Sequence, residues 1–147
     1  MKSRGKINID TADYLYNNAQ KFINCINSSN NNDINHIIIG RWYYGVFLLA
    51  KDYLMSNGYN KHCNKSFRGK HCERKDCNLE CLTHKGNAYS IWSVLVSYAN
   101  KNKSLASNGR QLAQLRENFE YSGSICNNNA LNKAKNYFNK ILKEIKK

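Results

Sequence analysis

Apolar residues recur along the chain at the three- and four-residue intervals typical of amphipathic helices, and the chain has no proline to interrupt them. The first predicted helix covers residues 11–27, with Asp10 as its cap. The second covers residues 34–57 and carries apolar side chains on almost every face. We therefore expect the second helix to lie at the centre of the fold and to end at Gly58.

The second half of the sequence predicts three more helices. One covers residues 87–100, and residues 101–108 are expected to form a polar link after it. Leucines at helical spacing together with Phe119 mark a fourth helix, which is expected to end near Gly123. The last helix begins after Asn127, with an apolar stripe towards the core and lysines towards water.

Residues 59–85 break this pattern because they are polar, basic and rich in Cys and His, without helical or strand periodicity. We predict a single domain over residues 1–147 with an all-α fold, a five-helix up-and-down bundle whose irregular Cys/His-rich insertion lies between helices two and three. No apolar run reaches the roughly 18 residues that a membrane span needs, so the chain is not expected to be embedded in a membrane. No secretory signal is visible, which favours a cytoplasmic, reducing setting.

The charge of the chain is strongly unbalanced, with 23 Lys and Arg against 10 Asp and Glu and a formal net charge of +13. Such an excess favours a polyanionic partner, with nucleic acid first and an anionic membrane surface second. A solvated basic surface in an asparagine- and lysine-rich composition is the alternative. Seven basic residues of the insertion are predicted to contact a phosphate backbone: Lys61, Lys65, Arg68, Lys70, Arg74, Lys75 and Lys85.

Four of the six cysteines lie close together in the insertion, namely Cys63, Cys72, Cys77 and Cys81. In a reducing setting this clustering favours a structural zinc site with these four thiolates as first-choice ligands, and His71 or His84 can replace one of them. The spacing is irregular, so free thiols and disulfides stay open as alternatives. Cys25 and Cys126 are isolated, and we expect each to be a small buried hydrophobic residue.

Three short segments carry a resemblance to a known family. They are an Arg-x-Tyr-Tyr-x-x-Phe helix that starts at Arg41, a Thr-His-Lys-Gly turn that contains His84, and a Leu-x-x-Leu-Arg helix that ends with Arg116, Glu120 and Tyr121. In this order they resemble the HEPN family, small helical-bundle proteins often found in prokaryotic toxin–antitoxin and phage-defence systems. The likeness covers about residues 10–145 and leaves residues 59–82 unmatched.

The resemblance implies a protein that acts on RNA, since many HEPN members are metal-independent endoribonucleases. Their late helix carries Arg-x(4–6)-His, and their active site forms across a homodimer. Here Arg116 is present, but Tyr121 stands where the histidine can fall, and no histidine follows. A tyrosine hydroxyl is a poor base at neutral pH, so His84 becomes the best substitute acid or base, with Arg116 as the cation and Arg41 as a further site residue.

Each candidate has a structural alternative. Arg116 could be a surface arginine paired with Glu120, His84 a helix cap or metal ligand, and Arg41 half of an ion pair that pins the bundle. Three functions are therefore considered: an endoribonuclease toxin or defence effector, a catalytically silent RNA-binding or assembly subunit, and a partner regulated by a nucleotidyltransferase antitoxin. In the third function Tyr121 would be the nucleotidylation target.

Overall fold

The computed structural model of the chain describes residues 3–26, 32, 34–58, 90–97, 99–122 and 124–146. The elements within them are helices: α1 (Arg4–Asn17), α2 (Ala19–Cys25), α3 (Asn35–Ser56), α4 (Ile91–Ser97), α5 (Lys103–Glu120) and α6 (Asn128–Ile145). The all-α class is confirmed. The predicted insertion at residues 59–85 lies outside the described residues.

Helix α3 lies at the centre and packs against α1, α4, α5 and α6. Its bounds confirm the second predicted helix, and its buried residues lie on most of its circumference, as the continuous apolar sequence indicates. Gly58 follows the helix with a φ of +74°, a left-handed conformation that glycine adopts without steric cost. The predicted stop is therefore confirmed.

Helix α1 packs on α3 through a close approach of the two backbones. A Cβ on Gly45 would lie 2.5 Å from Cγ1 of Ile9, and a Cβ on Gly5 would lie 2.9 Å from the carbonyl oxygen of Gly45. Real Cβ atoms do not tolerate such distances, so glycine at both positions allows the two helices to meet.

The prediction for the first helix is wrong in its start and its continuity. The helix begins at Arg4, where the side chain of Ser3 accepts a hydrogen bond from the backbone N–H of Lys6, and Asp10 lies inside it. It breaks at Asn18, whose backbone N–H and side-chain Nδ2 both donate to the carbonyl of Tyr14. The backbone of Asn18, with φ −123° and ψ 26°, departs from helical values, which separates α1 from α2 and gives six described helices where five were expected.

The predicted polar link at residues 101–108 is also wrong over most of its length. Asn100 turns the chain with a φ of +51°, and the side chain of Asn102 then caps α5 by accepting from Ser104 N at 2.9 Å. Leu105 and Ala106 are buried, although the residues on either side of this pair are polar. The single apolar face of this turn is too short to give a clear periodic signal in the sequence.

Helix α6 matches its prediction. Asn127 caps it by accepting from Ala130 N at 2.9 Å, and the apolar stripe faces the core. The buried side-chain amide of Asn35, at the start of α3, donates to the carbonyl of Cys126 at 2.8 Å and so joins the starts of α3 and α6. Among the described helices, none is long and apolar enough to cross a membrane.

Candidate functional site

Arg116 lies in the last turns of α5 and is only 6% exposed. Its Nε donates to Oε2 of Glu120 at 2.6 Å, and its Nη2 donates to the hydroxyl of Tyr121 at 2.6 Å. The predicted alternative of an ion pair with Glu120 is therefore correct in its partner and wrong in placing the arginine on the surface. The two bonds fix the plane of the guanidinium group.

Three tyrosine rings surround this guanidinium. Its Cζ lies 4.7 Å from the ring centroid of Tyr44, 5.2 Å from that of Tyr43 and 5.3 Å from that of Tyr121. These distances are typical of cation–π contacts, which gain strength where water is excluded. Tyr43 and Tyr44 come from α3, so the arginine joins the centre of the fold to the end of α5.

Burial and charge act in opposite directions on the titrating groups of this cluster. Burial raises the pKa of Tyr43 well above its usual value, although the nearby Arg116 opposes the shift. Burial also raises the pKa of Tyr44. Burial alone would lower the pKa of Arg116, but its hydrogen bonds with Glu120 and Tyr121 raise it above the ordinary value. The cluster therefore holds a permanent cation beside the neutral phenols of Tyr43 and Tyr44.

A pocket of about 400 Å³ lies beside the cluster, and Tyr44 and Glu120 belong to both. It is lined by five residues of α3 and one of α5: His36, Ile37, Gly40, Arg41, Tyr44 and Glu120. Because the α3 residues are spaced by one and four positions, they form one continuous strip of that helix. The end of α5 leans over this strip and closes one side of the pocket.

Glu120 connects the buried cluster with the pocket. Its Oε2 is held by Arg116, whereas its Oε1 lies 3.9 Å from the position that a Cβ would take on Gly40. The carboxylate is one-third exposed. Arg116 thus holds Oε2 on the side of the buried cluster, while Oε1 faces the pocket.

Arg41 lines the pocket and is exposed. Its Nη1 donates to the side-chain oxygen of Asn8 on α1 at 3.0 Å. Among the described residues this polar contact is a hydrogen bond rather than the ion pair considered from the sequence. The guanidinium is therefore oriented by α1 and remains accessible to an anion.

Three of the four predicted catalytic residues fall within the described chain, and they lie in two separate places. Arg116 and Tyr121 touch directly, while Arg41 lies in the pocket on the other side of Tyr44 and Glu120. Outside the described residues lie His84, the predicted RNA-binding residues and the predicted zinc ligands: Lys61, Lys65, Arg68, Lys70, Arg74, Lys75 and Lys85, and Cys63, Cys72, Cys77 and Cys81.

The two isolated cysteines differ. Cys126 is buried as expected, whereas Cys25 is exposed at the end of α2, so that expectation is wrong. Within the described part of the chain, no group of three or more His, Cys, Asp or Glu side chains could hold a metal ion.

His36 is a site residue that the sequence analysis missed. It lies in the first turn of α3, one turn before Gly40 and two turns before Tyr44, and is half-buried in the pocket wall. The signal was present, because stepping backwards by four residues from Tyr44 along the same face reaches Gly40 and then His36. The sequence does not show that the end of α5 covers this face of α3.

The arrangement combines groups that can transfer protons with groups that stabilise negative charge. An imidazole and a carboxylate can each accept or donate a proton, and an exposed guanidinium can bind a phosphate through parallel hydrogen bonds. The aromatic rings exclude water from the buried arginine behind them. Compared with known proteins, the chain matches no family model, no curated protein and no solved structure.

Proposed function

We propose that the chain acts on RNA as a metal-independent endoribonuclease of the HEPN type, in a toxin or phage-defence role. The observation that carries the proposal is the position of the anchored Arg116 directly behind a pocket that contains His36 and Arg41. The order of motifs along the chain and the all-α fold agree with it. A homodimer is part of the proposal, because HEPN sites form between two copies.

The chemistry assigns a role to each group. Attack of a ribose 2′-hydroxyl on the adjacent phosphorus forms the new O–P bond while the bond to the 5′-oxygen breaks. One group must take the proton of the attacking hydroxyl, one must protonate the leaving oxygen, and a cation must stabilise the charge on the phosphoryl oxygens. His36 takes the proton of the attacking hydroxyl, and the sequence-predicted His84 is proposed as the acid that protonates the leaving oxygen. Arg41 stabilises the phosphoryl charge. Arg116 holds Glu120 in place.

The charge of the chain supports an RNA substrate. A formal net charge of +13 attracts a phosphate backbone and makes binding depend steeply on salt through counterion release. The basic residues between Lys61 and Lys85 are proposed as the extended binding surface. Replacing Lys70, Arg74 and Lys75 by Ala should reduce the slope of log K against log salt by about two to three, at about 0.7–0.9 per phosphate contact.

A catalytically silent RNA-binding or assembly subunit is the second candidate. It is favoured by the engagement of Arg116, of which Nε and Nη2 are both bonded within the chain, and by a tyrosine at the position of the family's histidine. A partner regulated by a nucleotidyltransferase antitoxin is the third. It is favoured by Tyr121, whose side chain is 68% exposed at the end of α5.

Incubation of the purified protein with total RNA in EDTA tests the proposal. The wild-type chain should cleave RNA, and His36→Ala and Arg41→Ala should each slow cleavage by about 100-fold or more. Arg4→Ala is the matched control, because Arg4 is an exposed arginine on α1 outside the pocket. Arg116→Lys should also cleave slowly, since a lysine cannot hold Glu120 and Tyr121 at the same time.

Each result distinguishes the candidates. RNA binding without cleavage identifies the silent subunit. Cleavage that survives both His36→Ala and Arg41→Ala overturns the assignment of the site, and a wild-type chain that neither binds nor cleaves RNA overturns the proposal.

A further inference from the structure

We propose that the pocket between α3 and Glu120 binds one unstacked nucleotide, with the phosphate at Arg41 and an amino-bearing base at Glu120. The inference rests on the proposed function for its view that the natural ligand is part of an RNA strand. It goes further by proposing that Glu120 determines which base is preferred. It can be tested with mononucleotides and without any cleavage.

The glycine in the pocket wall has no packing role. Within the described helices, glycines at positions 5, 45 and 109 each lie where a Cβ would meet a neighbouring helix at 2.9 Å or less. Gly40 is different, because a Cβ there would have only Oε1 of Glu120 within 4 Å, at 3.9 Å. A glycine inside a helix costs about 0.5–1 kcal/mol relative to alanine, so Gly40 reduces helix stability and leaves open space.

The open space has the dimensions of a small ligand site. Its volume of about 400 Å³ lies within the range of known ligand pockets and is too small for a duplex. Single-stranded RNA is commonly recognised by bases that leave the stack and pack on aromatic side chains. Tyr44 supplies an aromatic ring in the wall, and its position is fixed by the guanidinium of Arg116.

Glu120 is a hydrogen-bond acceptor with a fixed orientation. Because Arg116 holds Oε2, the free Oε1 is presented to the pocket in one direction. A carboxylate accepts from the exocyclic amino group of cytosine, whereas uracil presents a carbonyl oxygen at the same ring position. Two acceptors that face each other repel, so the pocket should favour cytosine over uracil.

Arg41 is placed to bind the phosphate of the same nucleotide. Its bond to Asn8 orients the guanidinium but uses only Nη1. His36 lines the same pocket more than one turn earlier on α3. A nucleotide is therefore matched at both ends, by a cation for its phosphate and by an acceptor for its base.

Binding of cytidine monophosphate, uridine monophosphate and inorganic phosphate to the full chain tests the proposal by NMR titration in low salt. Cytidine monophosphate should bind about tenfold more tightly than uridine monophosphate, which corresponds to one hydrogen bond made against one repulsion. Gly40→Leu should weaken its binding by about tenfold or more by filling the pocket. Arg41→Ala should weaken both nucleotides equally, and Arg4→Ala should change neither.

Circular dichroism of Gly40→Leu checks that the helices remain. If that variant does not fold, Arg41→Ala and the comparison of the two nucleotides decide the question. Equal affinity for both nucleotides, phosphate binding as tight as that of cytidine monophosphate, or no binding by the wild-type chain would each overturn the inference. RNA cleavage without nucleotide binding would overturn this inference alone, and nucleotide binding without cleavage would overturn the nuclease alone.

Discussion

The hydroxyl of Tyr121 lies 2.6 Å from Nη2 of Arg116, so that a side chain 68% exposed is bonded to one only 6% exposed. The contact joins the solvent-facing end of α5 to the most enclosed charge of the described chain. A substitution of the exposed Tyr121 therefore alters the hydrogen bonding of Arg116, whose guanidinium group also orients Glu120.

Removal of this hydroxyl gives the first prediction. Tyr121→Phe keeps the ring over Arg116 and removes only the hydroxyl, with its hydrogen bonds to Arg116 and Tyr44, so the free energy of unfolding should fall by about 1 kcal/mol. Tyr14→Phe is the matched control, because Tyr14 is similarly exposed on α1, and it should change stability by less than about 0.5 kcal/mol. Urea denaturation measures both, and equal effects would contradict the role of the bond.

The two glycines of α3 should respond to alanine with opposite signs. Gly45→Ala places a methyl group against Ile9 and should destabilise the fold by about 1–3 kcal/mol. Gly40→Ala meets only Oε1 of Glu120, at an ordinary contact distance of 3.9 Å, and should stabilise the fold by about 0.5–1 kcal/mol. Thermal or urea unfolding of both variants checks this, and destabilisation by Gly40→Ala would show that the pocket wall is tightly packed.

Stability should fall at alkaline pH because of Cys126. Burial raises the pKa of its thiol from 9.0 to about 11, so between these values the unfolded chain has lost a proton that the folded chain keeps. Stability from this group is fully present below pH 9 and is lost as the pH rises to 11, by about 2–3 kcal/mol. The stability difference between wild type and Cys126→Ala should shrink accordingly from pH 8 to about 10.5. A constant difference would contradict the shift.

The cysteines of the insertion are predicted to bind about one zinc ion per chain. Elemental analysis should detect it, and Cys72→Ser with Cys77→Ser should abolish it, whereas Cys25→Ser should not. Losing the metal should leave the helices intact, because they have a core of their own. Four alkylatable thiols in native, zinc-free protein would contradict this prediction.

The sequence predicts the fold best where one physical signal dominates. Helix α3 has apolar residues on most faces and a terminal glycine, and α6 has a cap and a regular stripe, so both were located within a few residues. The break at Asn18 was missed because asparagines on the polar side of a helix leave the apolar spacing unchanged. The start of α5 was missed because its buried pair, Leu105 and Ala106, is flanked by polar residues on both sides.

The sequence likewise predicts one part of the candidate site and not the other. The contact between Arg116 and Tyr121 is local, because Tyr121 directly follows the last residue of α5 and lies five residues after Arg116. The pocket requires Glu120 to lie over Gly40, and these residues belong to helices far apart in the chain. That contact depends on how α5 crosses α3, which no spacing within either helix determines.

The two tryptophans give the chain its own optical reporters. Trp42 is fully buried and stacks on Phe138 at 5.4 Å, so its fluorescence follows the contact between α3 and α6. Trp92 is fully buried against Tyr43 and Gly109, so its fluorescence follows the contact of α4 with α3 and α5. Single-tryptophan variants therefore separate the two sides of the bundle spectroscopically, and coincident unfolding curves would mean that they melt as one cooperative unit.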